Sequence, residues 1–161
     1  MTRALCLGWA GLLCVASCAA SLSDHVVVRR VVDGDTVELT DGRLVRYIGI
    51  DTPEVRRKEH ERWIVDPEPM AEEASAFNRQ LVEGKEVRLE YDVQSYDRFG
   101  RVLAYVYVGD VMVNAQLLMD GYAQPLTIPP NVKHATWFRT LAQQARQAGR
   151  GLWKDGGKRL R

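Results

Sequence analysis

Short apolar runs, each closed by a turn signal, set the pattern of this chain. Val26–Val32 and Thr36–Thr40 are rich in β-branched residues and are separated by Asp33-Gly34, which predicts two strands joined by a tight turn. Asp41-Gly42 is a second two-residue hairpin signal. It leads into Arg43–Ile50, a predicted strand apolar on both faces with Arg46 as its odd member. Lys85–Tyr91 alternates Val87 and Leu89 against charges, Val102–Val108 reads as another strand, and Gly109-Asp110 turns it into Val111–Val113. Val55–Pro69 is polar, charged and closed by two prolines, which predicts an exposed loop.

Helical spacing interrupts the strands in three places. Ala74, Phe77 and Leu81 predict an amphipathic helix over Met70–Val82, with Phe77 in the core and Gly84 just past the end. Asn114 is a good N-cap for a short helix ending at Gly121. Asn131 offers the same cap to a last helix that carries Trp137, Leu141 and Ala145 and stops near Gly149. Five short strands with three helices suit an α+β domain of the OB-fold type, a five-stranded Greek-key barrel much used for nucleic acids and oligosaccharides.

Composition adds bounds. At 161 residues, 46% apolar and 27% charged, the chain has the size and make-up of one globular domain. Arg3 is the only charged residue before Asp24, and the remainder balances 21 basic against 21 acidic residues. Overall charge therefore gives no nucleic-acid signal. The end is locally basic: from Arg139 onward four arginines and two lysines precede Arg161, against Asp155 alone. Residues 156–161 read as a solvated basic tail.

The first 23 residues have the layout of a targeting segment. Arg3 supplies a short positive start, Ala4–Ala16 an apolar stretch too short to span a membrane comfortably, and small residues follow. Val15-Ala16-Ser17-Cys18 has the form of a lipobox, in which Cys18 would be acylated and attach the protein to a membrane; cleavage after Ala20 is the competing reading. Both predict export to the cell envelope or beyond. All three cysteines lie in this segment, so the folded domain of residues 24–155 is expected to have neither disulfide nor thiolate chemistry.

Candidate chemistry gathers at the strand ends. Within twenty residues stand Asp35, Asp51 and Glu54, the hydroxyl residue Thr52 and the guanidinium of Arg46. Oxygen ligands of this kind suit a hard cation such as Ca²⁺, and an arginine beside them suits a phosphate. Asp33-Gly34 alone is ordinary turn chemistry, but a turn needs neither the third carboxylate nor an arginine inside an apolar strand. A buried arginine needs a partner, in a core ion pair or at a site. His60 and His134 have no metal-ligand spacing and read as surface histidines.

Three blocks carry a family resemblance: Asp33-Gly34-Asp35-Thr36, Arg46-Tyr47-Ile48-Gly49-Ile50-Asp51-Thr52-Pro53-Glu54, and Asp97-Arg98-Phe99-Gly100-Arg101. Their order and spacing resemble the staphylococcal nuclease (thermonuclease) family over about residues 26–155. The resemblance implies that Asp35 and Asp51 bind Ca²⁺ through carboxylates and Thr52 through its backbone carbonyl. It implies that Glu54 reaches the metal through water and orients or deprotonates the attacking water, and that Arg46 and Arg101 hold the scissile phosphate. Arg98 stands where the family usually has a lysine facing a terminal phosphate. Phe99 replaces a tyrosine there and lacks the phenolic hydrogen bond. Near Leu126-Thr127-Ile128 the family's type member has two tyrosines that stack on bases, and none stands at these three positions.

The implied activity is that of an exported, monomeric, Ca²⁺-dependent nuclease cutting DNA and RNA to 3′-phosphate products. A non-catalytic binding module with the same fold is the alternative. Nuclease-like repeats of that kind have lost catalytic residues, whereas all six positions stand here. A hydrolase of a non-nucleic phosphodiester is a third reading.

Overall fold

The structure, a computed structural model, describes residues 24–60 and 62–154. The leader with its cysteines and the basic tail lie outside the described residues.

The long strand β1 (Asp24–Asp33) is the centre of the sheet. It pairs antiparallel with β2 (Thr36–Leu39) on one side and with β7 (Glu86–Glu90) on the other. Beyond β2 comes β3 (Leu44–Tyr47), and beyond β7 come β8 (Val102–Val108) and β9 (Val111–Met112). A parallel pairing of β3 with β8 joins the two sides and closes a five-stranded barrel. With α1 (Ala71–Val82), α2 (Val113–Met119) and α3 (Ala135–Gln147) this is the expected α+β, OB-type architecture.

Alternation decides what fills the barrel. Val37 and Leu39 of β2, Val45 and Tyr47 of β3, and Val87 and Leu89 of β7 all point inward and are buried. Helices cap this core with Leu117, Leu118 and Phe138. Phe77 packs on the core only partly buried and stacks on Tyr122, with ring centres 4.6 Å apart.

The predicted strand Arg43–Ile50 is broken in two. Gly49 takes a left-handed φ of 81°, and a methyl there would stand 2.7 Å from the Phe138 ring, so both conformation and space demand glycine. After it, β4 (Ile50–Asp51) leaves the barrel to pair with β10 (Gln124–Pro125). This break lets Asp51 approach Arg46.

The predicted loop Val55–Pro69 contains a hairpin, β5 (Arg56–Glu59) with β6 (Arg62–Val65). Backbone bonds from Asp66 N–H to the Val55 carbonyl (3.2 Å) and from Glu68 N–H to the Glu54 carbonyl (2.9 Å) close its base. Strands of charged residues carry no apolar alternation, which hides them in the sequence.

Neither asparagine cap forms. Helix α2 begins two residues early, and Asn114 lies inside it, fully buried, accepting the Val106 N–H and donating to the Ile48 carbonyl, both at 2.9 Å. Helix α3 begins only at Ala135, and Asn131 instead bonds the backbone N–H and carbonyl of Gln94, both at 2.8 Å. A buried amide that can satisfy barrel or loop backbone does more there than at a solvated helix end. On α3 the buried aromatic is Phe138, while Trp137 is 44% exposed. His134 is half-buried rather than on the surface, 3.0 Å from Glu90 and edge-on to Tyr105.

Candidate active site

The tight turn between β1 and β2 is made by Gly34 and Asp35. Asp33 Oδ1 accepts the Gly34 N–H at 2.9 Å, and the Tyr47 N–H bonds the Asp35 carbonyl at 2.9 Å. The Asp35 side chain shares the inward face of Val37 and Leu39 and is fully buried. Its Oδ2 accepts the Thr52 N–H at 3.1 Å; its Oδ1 accepts the Thr36 hydroxyl at 3.2 Å and pairs with Arg46 Nη1.

Arg46 is the hinge of this cluster. Its other nitrogen, Nη2, lies 2.7 Å from Asp51 Oδ1, so one guanidinium bridges both carboxylates. The buried arginine is thus in an ion pair, and the same side chain also lines a cleft of about 580 Å³.

Burial pushes the Asp35 carboxyl up to about 6; Arg46 opposes this, and the charges of Asp33 and Asp51 add to it. Glu54 is likewise pushed up, by desolvation first and then by Asp33 and Asp51.

The cleft draws its walls from three segments. Arg46 and Glu54 come from β3 and the stretch after β4, Asp97, Arg98, Phe99 and Arg101 from the turn before β8, and Leu126, Ile128 and Pro129 from the stretch after β10. The parallel register sets Arg46 opposite Leu103, two residues from Arg101. Asp97 builds its turn: Oδ1 accepts the N–H groups of Phe99 (2.9 Å) and Arg101 (3.0 Å), and Oδ2 accepts Arg101 Nε at 2.6 Å. Burial alone would raise the Asp97 carboxyl, but these bonds, Arg101's side chain foremost, hold it below the usual range. Phe99 is 69% exposed, with the guanidinium carbons of Arg98 and Arg101 at 4.7 and 5.6 Å from its ring centre.

The structure thus brings Arg46, Glu54, Arg98, Phe99 and Arg101 to one cleft. It ties Asp35, Asp51 and Thr52 together behind Arg46. Sequence reasoning missed Asp97 and Asn131 as organisers of the walls. The signal for Asp97 was its place four residues before Arg101, with a glycine between them, which is Asx-turn chemistry.

The donor set fits a hard cation in type: two carboxylates and a backbone carbonyl, all oxygen. Among the described residues no group of three or more histidine, cysteine or carboxylate side chains is placed to hold a metal. A cation here would therefore draw on backbone or water oxygens besides Asp35 and Asp51.

Comparison with known proteins decides the kinship. The family profile described as "Staphylococcal nuclease homologue" matches residues 44–155. The thermonuclease of Staphylococcus intermedius is 36% identical over 134 residues, covering 81% of this chain and 77% of its own length. The chain belongs to the staphylococcal nuclease family. Another thermonuclease, from Staphylococcus hyicus, is 37% identical over 131 residues, 80% of this chain and 75% of its own. An endonuclease of Bacillus subtilis, YncB, is 34% identical over 138 residues, 83% of this chain and 63% of its own. The family's barrel is the scaffold on which β3, β4 and the Asp97–Arg101 turn meet at the cleft.

Proposed function

We propose that the protein is a Ca²⁺-dependent nuclease, hydrolysing phosphodiester bonds of DNA and RNA with little sequence preference and leaving 3′-phosphate ends. The observation that carries this reading is the convergence of two arginines, Arg46 and Arg101, with Glu54 in one cleft against the Asp35–Asp51 pair. The names of the relatives, thermonuclease and endonuclease, support it. They weigh against a binding module or a non-nucleic phosphodiesterase.

Phosphoryl transfer needs positioning and charge stabilisation more than covalent help. Arg46 and Arg101 place delocalised positive charge where the phosphate oxygens gain negative charge. Glu54, its basicity raised by its surroundings, orients a water and takes its proton as the water oxygen attacks phosphorus. The bond from phosphorus to the 5′ oxygen breaks, and that oxygen leaves with a proton from solvent. Asp35, Asp51 and the Thr52 carbonyl would hold Ca²⁺, whose chemistry there is charge neutralisation and orientation of bound oxygens. Arg98 and Phe99 extend the cleft toward a neighbouring nucleotide.

We further propose that the protein acts outside the cytoplasm, on the strength of the leader and the Val15–Cys18 lipobox. Detergent partitioning of wild type and Cys18→Ala tests the anchor. A soluble, unacylated mature form would overturn it. Incubation of purified protein with DNA and with RNA, with and without a chelator, tests the activity; failure to cut either in Ca²⁺ would overturn it.

A further inference from the structure

We propose that Asn78 and Tyr47 form a positioning pair, holding the two strand ends that carry the site in register and so setting turnover. The inference rests on the nuclease reading for its activity readout, but not for its structural one.

Both residues are fully buried and lie on elements distant in sequence, Tyr47 among the residues that line the cleft and Asn78 behind it on α1. Asn78, on α1, accepts the Tyr47 hydroxyl through Oδ1 at 3.0 Å, and its Nδ2 makes a longer contact of 3.4 Å to the Asp33 carbonyl. Tyr47 in turn donates its backbone N–H to the Asp35 carbonyl at 2.9 Å and is the chain neighbour of Arg46. One amide therefore reaches the turn that carries Asp35 and the strand that carries Arg46. These are the two sides of the guanidinium–carboxylate bridge.

The energetics say why this pair is not needed for the core alone. A buried hydrogen-bonded pair contributes little in net terms, and replacing both partners by apolar groups of similar shape is often near neutral. An apolar pair would fill the same space without fixing direction. A hydroxyl and an amide fix the helix against both strand ends to within a hydrogen bond's tolerance. Phosphate-holding groups need that precision, since a misplacement of about 1 Å can cost on the order of 10²-fold in rate.

Four proteins separate positioning from stability: wild type, Tyr47→Phe, Asn78→Leu, and the double variant. Three quantities are read on each: the thermal midpoint, kcat and KM on DNA in Ca²⁺, and hydrogen exchange at the Thr52 N–H that bonds Asp35. Tyr47→Phe orphans one buried carbonyl and is expected to lower the midpoint, with kcat down on the order of tenfold and KM little changed. The double variant removes the orphan and should regain most of the midpoint, while kcat stays low and Thr52 exchange stays fast. A double variant with kcat within about twofold of wild type and unchanged Thr52 exchange would overturn the inference. If Asn78→Leu fails to fold, Tyr47→Phe alone decides: normal kcat and Thr52 exchange, read well below its midpoint, overturn it. If wild type does not cut, the nuclease reading falls, and the exchange readout still decides whether the pair positions Asp35 and Thr52.

Discussion

A methyl group on Gly34 would stand 2.4 Å from the Thr52 hydroxyl oxygen and 2.7 Å from its β-carbon. The bare α-carbon of the turn is what lets Thr52 approach close enough for its N–H to bond Asp35. Gly34→Ala is therefore expected to push the segment after β4 away from the turn. Overpacking of this kind costs roughly 1–3 kcal/mol, and Ca²⁺ affinity should fall with it. Gly42→Ala is the control, since a methyl there meets nothing within 4 Å, although its positive φ of 88° carries strain of its own. Thermal denaturation and Ca²⁺ titration calorimetry check both, and equal Ca²⁺ affinity in the two variants would refute the contact's role.

The arginine clamp makes a second prediction. Arg46→Lys and Arg101→Lys should each lower kcat by about 10²-fold or more, because a point-charge ammonium cannot reproduce a bidentate guanidinium. Asp97→Asn should give a smaller loss in the same quantity, since it keeps an acceptor for the turn but loses the charge that orients Arg101. Steady-state kinetics on DNA checks this. Near-normal kcat in both lysine variants would remove the clamp from the mechanism.

The apolar end of the cleft makes a third. Leu126 and Ile128 are exposed where stacking aromatics would grip bases. Base stacking on an aromatic side chain is worth about 1–3 kcal/mol per base. Leu126→Tyr or Ile128→Tyr should therefore lower KM on single-stranded DNA with kcat little changed. No change at either position would mean that this wall does not touch substrate.

Asp35 yields a prediction in pH. Its folded-state pKa, raised by burial to about 6, lies above the ordinary value of 3.8. A raised acid binds more protons in the folded state, so its contribution is fully present below about pH 4 and is lost as pH rises to about 6. Metal-free wild type should therefore lose stability over that window relative to Asp35→Asn, which lacks the titrating carboxyl and should be inactive. Denaturant unfolding in chelator against pH measures it. A stability difference between wild type and Asp35→Asn that stays constant across the window would contradict the assignment.

Much of this was legible in the residues. Strands with Val and Leu at alternate positions declared their inward faces, and the charged residues at their ends pointed to the candidate site. What stayed hidden lacked a local signature. The hairpin of β5 and β6 has no apolar period, and Asn114 and Asn131 look like helix caps until the fold brings backbone from elsewhere to them. Arg43–Ile50 reads as one apolar run, and only the contact of Gly49 with Phe138, 89 residues away, shows why it must turn. Likewise, Arg46 between Asp35 and Asp51 is visible only once the break after β3 has folded Asp51 back.

In the proposed mechanism the cleft of Arg46, Glu54 and Arg101 cuts phosphodiesters with Ca²⁺ held beside it. The most direct measurement is the single-turnover cleavage rate of DNA by wild type and Glu54→Gln across a Ca²⁺ titration that begins in chelator. Wild type should be inactive in chelator and rise to a plateau. Glu54→Gln should saturate at a similar Ca²⁺ concentration but reach a plateau lower by about 10²-fold or more, within the range of general-base effects. Full-rate cleavage by wild type in chelator, or a Glu54→Gln plateau equal to wild type, would contradict the account.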